Sequence, residues 1–202
     1  MDKFVNLYLV IGFVFFNLIF GYLNRRFHPR ETPVVKKEPA FMVLGTIRFL
    51  LLLIWFVIFF LAEGYKHKIF GAGSDDGRVV EAIRIIGLVL YTLGGLFMVW
   101  GRASLGEWFA ARLVIKKGQR VIQEGPYKFV RHPIYVGGIL ALWGLALALN
   151  SSVSLFILAV PFTIFLPIVA KYEERMLVSN LKGEYEAYQS RVKKFMPGTK
   201  NS

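Results

Sequence analysis

Residues 133–170 form an unbroken run of 38 residues without one charged side chain. A helix that crosses a bilayer needs roughly 20 mainly apolar residues, so the run is about twice the length of one span. The hydrocarbon core offers no water to the backbone, and a single-chain segment there satisfies its N–H and C=O groups as a helix. Asn150-Ser151-Ser152 lies near the middle of the run and marks a turn. The stretch 133–170 is therefore expected to be a helical hairpin.

Three earlier blocks have the same character. Phe4 to Asn24 carries no charge, Ala40 to Ala62 carries only Arg48, and Ile85 to Gly101 carries none. Each fits one span, which brings the expected total to about five. Hydrophobic residues make up 55% of the chain and the mean hydropathy is +0.51, too apolar for an ordinary soluble domain. The expected fold is an all-α integral membrane protein. The first block is expected to be retained as a span: its uncharged core is long, and Arg25 and Arg26 follow it where a cleavage signal would need small residues.

The net charge of +12 raises the question of nucleic acid, and its distribution answers it. Lys and Arg number five in residues 25–37, four in 63–84, seven in 102–131, none in 150–152 and seven in 171–200. Residues 63–84 also hold four acids. Basic segments that alternate between spans follow the positive-inside rule, with the N-terminus outside and the C-terminus cytoplasmic. The basic side then faces anionic lipid, and no nucleic-acid partner is implied. The chain has no cysteine and only His28, His67 and His132, so thiolate chemistry is excluded and a metal site is not expected.

Between the spans, residues 25–39 read as a cytoplasmic loop and 63–84 as an external loop with turns. Residues 171–195 read as an amphipathic cytoplasmic helix, with Leu177, Leu181, Tyr185, Tyr188 and Val192 at helical spacing and Pro197 beyond. The chain thus divides into 1–101, with the first three spans, and 102–202, where polar chemistry collects around the hairpin. Gly94-Gly95, Gly137-Gly138 and Ala141 are read as close helix-packing positions.

The densest chemistry lies at the mouth of the long apolar run, in Gly125-Pro126-Tyr127 and Arg131-His132-Pro133-Ile134-Tyr135. Pro133 suits the first turn of a helix, and Arg131 there can snorkel to headgroups. Glu173-Glu174 opens the segment at the other end of the run, where two carboxylates at a bilayer edge call for cationic partners. Arg131 is one candidate and a cationic ligand another. No glycine-rich Rossmann fingerprint or P-loop is present.

From about residue 105 to 197 the chain resembles the isoprenylcysteine carboxyl methyltransferase family, membrane enzymes related to phospholipid N-methyltransferases. The resemblance rests on Leu105-Gly106-x-Trp108, Gly118-x-x-Val121-Ile122-x-x-Gly125-Pro126-Tyr127 and Arg131-His132-Pro133-x-Tyr135. It continues through Glu173-Glu174, Gly183-Glu184-Tyr185-x-x-Tyr188 and Pro197. It implies S-adenosyl-L-methionine as cofactor, enclosed by Gln119, Arg120, Val121, Ile122, Tyr127, His132, Pro133, Ile134, Tyr135 and Glu173. Arg131, His132 and Glu173 are the implied catalytic residues, with His132 the candidate base for a protic acceptor. The implied acceptor is lipophilic, a small molecule or a lipid-modified one, arriving through the bilayer. Many members of that family carry an arginine four residues before the first glutamate, where this chain has Val169. Phospholipid N-methylation and methylation of a small thiol or amine therefore stay open as alternatives. So, less strongly, do an NADPH-dependent, sterol-reductase-like membrane protein and a non-enzymatic one that kept the scaffold.

Overall fold

The computed structural model describes residues 2–27, 34–37, 50, 54, 77–109, 114–116, 118–151 and 154–198. Five helices account for most of them: α1 (Asp2–Arg26), α2 (Gly77–Leu105), α3 (Pro133–Ala148), α4 (Val160–Asn180) and α5 (Glu184–Arg191). Two short strands, β1 (Val34–Lys37) and β2 (Val114–Lys116), pair antiparallel. Single 3-10 turns at Gly106–Trp108 and Gly125–Lys128 join α2 to the mouth of α3, and a π-helical turn at Leu155–Ala159 leads into α4. The expected second span, in residues 40–62, falls almost wholly outside the described residues, as does most of the loop at 63–84.

The chain is an all-α integral membrane protein. Among the described residues, three helical stretches are long and apolar enough to cross a bilayer: Lys3–Arg26, Gly77–Trp108 and Leu155–Asn180. Pro133–Ala148 is a shorter apolar helix. The burial pattern is that of a lipid-facing bundle: Phe4, Leu7, Val10, Ile11, Phe13 and Leu18 on α1 are all exposed.

The tight helix pair is α2 with α3. A Cβ on Gly94 would lie 2.5 Å from the Ala141 backbone nitrogen and 2.6 Å from the Gly137 oxygen. Gly87 meets Gly144 and Ala148 in the same way, and Gly101 meets Pro133 and Ile134. The order of these contacts makes the pair antiparallel. Gly87, Gly94 and Gly101 recur every seven residues, the period that keeps one seam facing a partner helix. Lipid tails give no hydrophobic drive to helix association, so backbone contact through small residues supplies it. Gly94 and Gly137 therefore pack as their sequence suggests, and Gly95 seats Phe16 of α1. Gly138 is looser, with only the Met98 sulfur near, at 3.8 Å.

Three boundaries differ from expectation. The third span begins at Gly77, so residues 77–84 are helical and not loop. The amphipathic helix expected at 171–195 is two elements. α4 runs unbroken out of the membrane span to Asn180, and Gly183, at φ 74°, turns the chain into α5. Within 133–170 the chain turns at Asn150 (φ 49°), but α3 uses α2, not α4, for backbone packing. α3 and α4 meet in mid-helix where Trp143 Nε1 donates to Thr163 Oγ1 at 2.9 Å.

Candidate functional site

The segment joining α2 to α3 is held against the end of α2. Gly125 has φ 58°, and a Cβ there would collide with Ser104 and come within 3.2 Å of Trp100 Nε1, so the turn requires glycine. It buries Pro126 and Tyr127. Between Trp100 and Ser104 on α2, Arg102 is 2% exposed. Its guanidinium donates to Asn24 Oδ1 (2.8 Å), Leu23 O (3.1 Å) and Gly106 O (3.0 Å), and it sits 4.3 Å from the Phe109 ring centroid. This buried cation fastens the end of α1 to the turn after α2.

Pro133 opens α3 with His132 as its N-cap. That places Arg131 and His132 beside the end of α4, where Glu173 and Glu174 project. Arg131 Nε donates to Glu174 Oε1 at 2.8 Å, and His132 Nε2 lies 3.1 Å from the same oxygen. Lys194 Nζ reaches Glu174 Oε2 at 2.7 Å. His132 Nδ1 is 3.5 Å from Glu173 Oε2, and Tyr135 O–H donates to that oxygen at 2.9 Å. The His132 and Tyr135 rings stack with centroids 5.3 Å apart, and the Phe195 ring lies tilted to His132 with centroids 5.7 Å apart.

Burial separates the two carboxylates. The Glu174 side chain is 9% exposed and held by Arg131, Lys194 and the His132 imidazole, whereas Glu173 keeps 32% of its side chain exposed. A buried charge is tolerated only when paired, and Glu174 meets that condition. Burial acts to lower the His132 pKa, but hydrogen bonds to the Glu173 and Glu174 carboxylates outweigh it and hold the imidazole above its ordinary value. Burial pushes the Tyr127 phenol well above its usual range, with Glu173 adding to the effect and Arg102 opposing it.

The C-terminal segment closes the arrangement. The Arg131 and His132 amides donate to the Lys193 and Lys194 carbonyls at 3.0 and 3.2 Å. Arg131 Nη1 also donates to Gln189 O (3.2 Å) and Val192 O (2.5 Å). Of the residues singled out in the sequence, Arg131, His132, Tyr135 and Glu173 come together here, and Tyr127 is buried nearby. Pro133 and Ile134 lie against Gly101 of α2. Val121 is engaged through its amide by Glu184, Ile122 is half-buried and Arg120 is exposed. Gln119 is half-buried and has partners of its own.

Sequence reasoning passed over Glu174 as the hub, along with Lys194. The cue was available: neighbouring residues on a helix face different directions, so only one glutamate of a consecutive pair can point into the protein. Nothing in the linear sequence says which.

The family model of the phospholipid methyltransferases matches residues 82–183, half of the chain and the part that contains Arg131, His132, Tyr135, Glu173 and Glu174. The chain belongs to the phospholipid methyltransferase family. Curated relatives vary in what they are named for. The cobalt-zinc-cadmium resistance protein CzcN of Cupriavidus metallidurans is 32% identical over 130 residues, 64% of this chain and 56% of that protein. Methanethiol S-methyltransferase 1 of Bradyrhizobium diazoefficiens is 41% identical over 71 residues, 35% of this chain and 24% of that protein. The protein-S-isoprenylcysteine O-methyltransferase of Schizosaccharomyces pombe is 22% identical over 150 residues, 66% of this chain and 64% of that protein. The chain spans little more than half the length of the resistance protein. Among the described residues no group of three or more His, Asp or Glu side chains is arranged to hold a metal ion. Methyltransferases recur among these relatives, and the family is the membrane type that the sequence motifs resemble.

Proposed function

We propose that this protein is an integral membrane methyltransferase that uses S-adenosyl-L-methionine and acts on a lipophilic acceptor reaching it through the bilayer. One observation carries the reading: His132 bridges two consecutive glutamates at the membrane boundary, and Glu174 is buried against Arg131 and Lys194 while Glu173 keeps 32% of its side chain exposed. An open carboxylate whose position is set by Tyr135 and His132 suits a cationic ligand. The donor set therefore fits the cofactor. Glu173, Tyr135 and Tyr127 would hold it together with the backbone of Gln119, Arg120, Val121 and Ile122, while Pro133 and Ile134 form the adjoining wall. When bound it supplies a methyl group on a sulfonium. The catalytic region is then 102–202, with its polar face on the cytoplasmic side, where a polar cofactor arrives.

The chain's own residues divide the remaining work. Arg131 and His132 are committed to Glu174 and act by fixing the α3–α4 junction. Both His132 nitrogens face carboxylates, at 3.1 and 3.5 Å, so the ring is a poor base. Glu173, the open carboxylate, is the better proton acceptor if the substrate is protic. A carboxylate substrate would need none. Val169 favours the protic alternative: it stands where the resembling carboxyl methyltransferases carry arginine, and it is 3% exposed, out of reach of a substrate. A small thiol, as in the name of the Bradyrhizobium relative, or an amine fits that reading.

Calorimetry on the detergent-solubilised protein tests the proposal. S-adenosyl-L-methionine should bind and NADPH should give no heat. Glu173→Gln should weaken cofactor binding about tenfold or more, as expected for losing a charge-assisted contact, with helical content unchanged. Wild-type affinity in that variant would reject the site, and heat from NADPH would redirect the reading to a reductase. Mass spectrometry of products from labelled cofactor with host lipid and small thiols then identifies the acceptor.

A further inference from the structure

α5 carries three polar side chains at positions 184, 188 and 191, spacings of four and three that set them on one helix face. Each reaches the segment before α3. The Glu184 carboxylate accepts from the Val121 amide at 3.2 Å. Tyr188 O–H donates to the Tyr127 carbonyl at 2.7 Å in a buried contact. Arg191 Nη2 donates to Gln123 Oε1 at 2.8 Å. Tyr185, Tyr188 and Val192 form a buried apolar cluster against which Val121 packs. Residues 118–124 belong to no helix or strand, so their backbone has no ladder of its own to set its course.

We infer that Glu184, Tyr188 and Arg191 are positioning residues that give the 121–127 wall its shape, so that α5 is part of the cofactor site without touching the cofactor. This rests on the reading that residues 119–122 line that site. The physical case is strongest for Tyr188. It is 2% exposed, and its hydroxyl satisfies a carbonyl that would otherwise be buried without a partner. Glu184 accepts from the Val121 amide in an exposed contact. Because Val121 N–H is already committed, recognition there falls to the side chains and to the neighbouring backbone groups.

Two measurements on the full chain in detergent test this. Hydrogen–deuterium exchange should accelerate across residues 119–129 in Tyr188→Phe and Glu184→Ala, with exchange in α2 and α3 unchanged. Glu184→Gln keeps an acceptor oxygen and should restore most of the protection. Calorimetry should then find S-adenosyl-L-methionine bound about tenfold more weakly by Tyr188→Phe and a few-fold more weakly by Glu184→Ala, in keeping with a buried and an exposed hydrogen bond. Helical content by circular dichroism should be unchanged, since Phe preserves the ring. Unchanged exchange in 119–129 in both variants overturns the inference. So does accelerated exchange with wild-type cofactor affinity. If the wild type itself binds no cofactor, the proposed function fails, while the exchange data still decide whether α5 shapes the wall.

Discussion

The α2–α3 seam and the α3–α4 junction are both buried, and they are held by opposite means. The seam has no side chains to speak of: Gly87, Gly94, Gly137 and Gly144 bring backbone onto backbone. The junction centres on charged side chains, with Arg131, His132 and Lys194 gathered on Glu174. In the seam, failure comes from adding atoms. At the junction it comes from removing one partner, because the others are then left charged and dry. The seam fixes where the mouth of α3 sits, and the junction ties it to α4 and the C-terminal segment.

The largest effect is expected at the junction. Glu174→Ala leaves Arg131 and His132 buried without their carboxylate, at a cost of about 3–5 kcal/mol. Reversible unfolding in mixed micelles should show this loss, and equal stability would mean that water reaches the junction freely. Gly94→Val comes next. Its added atoms meet the Ala141 and Gly137 backbone, which cannot rotate away, so the helices must separate, at about 3 kcal/mol by the upper end of overpacking costs. The same unfolding assay reads it, and cofactor affinity should fall with it if the seam sets the site.

A subtler test uses pH. The His132 pKa is raised in the folded protein, so its stabilising contribution is complete below the ordinary value near 6.5 and is lost as pH rises through the folded value. Melting temperature should therefore decline on the alkaline side of about 6.5, and His132→Gln should flatten that decline. A pH-independent melt would show that the imidazole is neutral throughout. The smallest effect is expected from Lys194→Met. Its side chain is 29% exposed, so its ion pair is worth about 1 kcal/mol or less. A larger loss would place Lys194 inside the junction in energetic terms.

Much of this was legible in the linear chain. Uncharged blocks of span length announce helices in a membrane, and small residues at intervals of seven along α2 mark its packing face. The motif at 125–135 and the glutamates at 173–174 were recognisable as one site because polar groups at a bilayer edge need partners. Less legible were the ends of elements. The charged residues of 171–180 look like the start of a surface helix, yet they continue α4, and Gly183 alone marks the true break.

By itself, then, the sequence determined that the chain lies in the membrane as helices, with polar clusters at both ends of the long apolar run, because hydrophobic length and the cost of unpaired polar groups depend only on composition along the chain. Only the tertiary structure decided that α3 packs on α2 and that Glu174 is the buried hub while Glu173 stays open. It also brought α5 behind the 121–127 segment. Those outcomes depend on which direction a side chain takes from its helix and on which groups arrive from more than forty residues away, as Glu174 does at Arg131, and no local pattern encodes either.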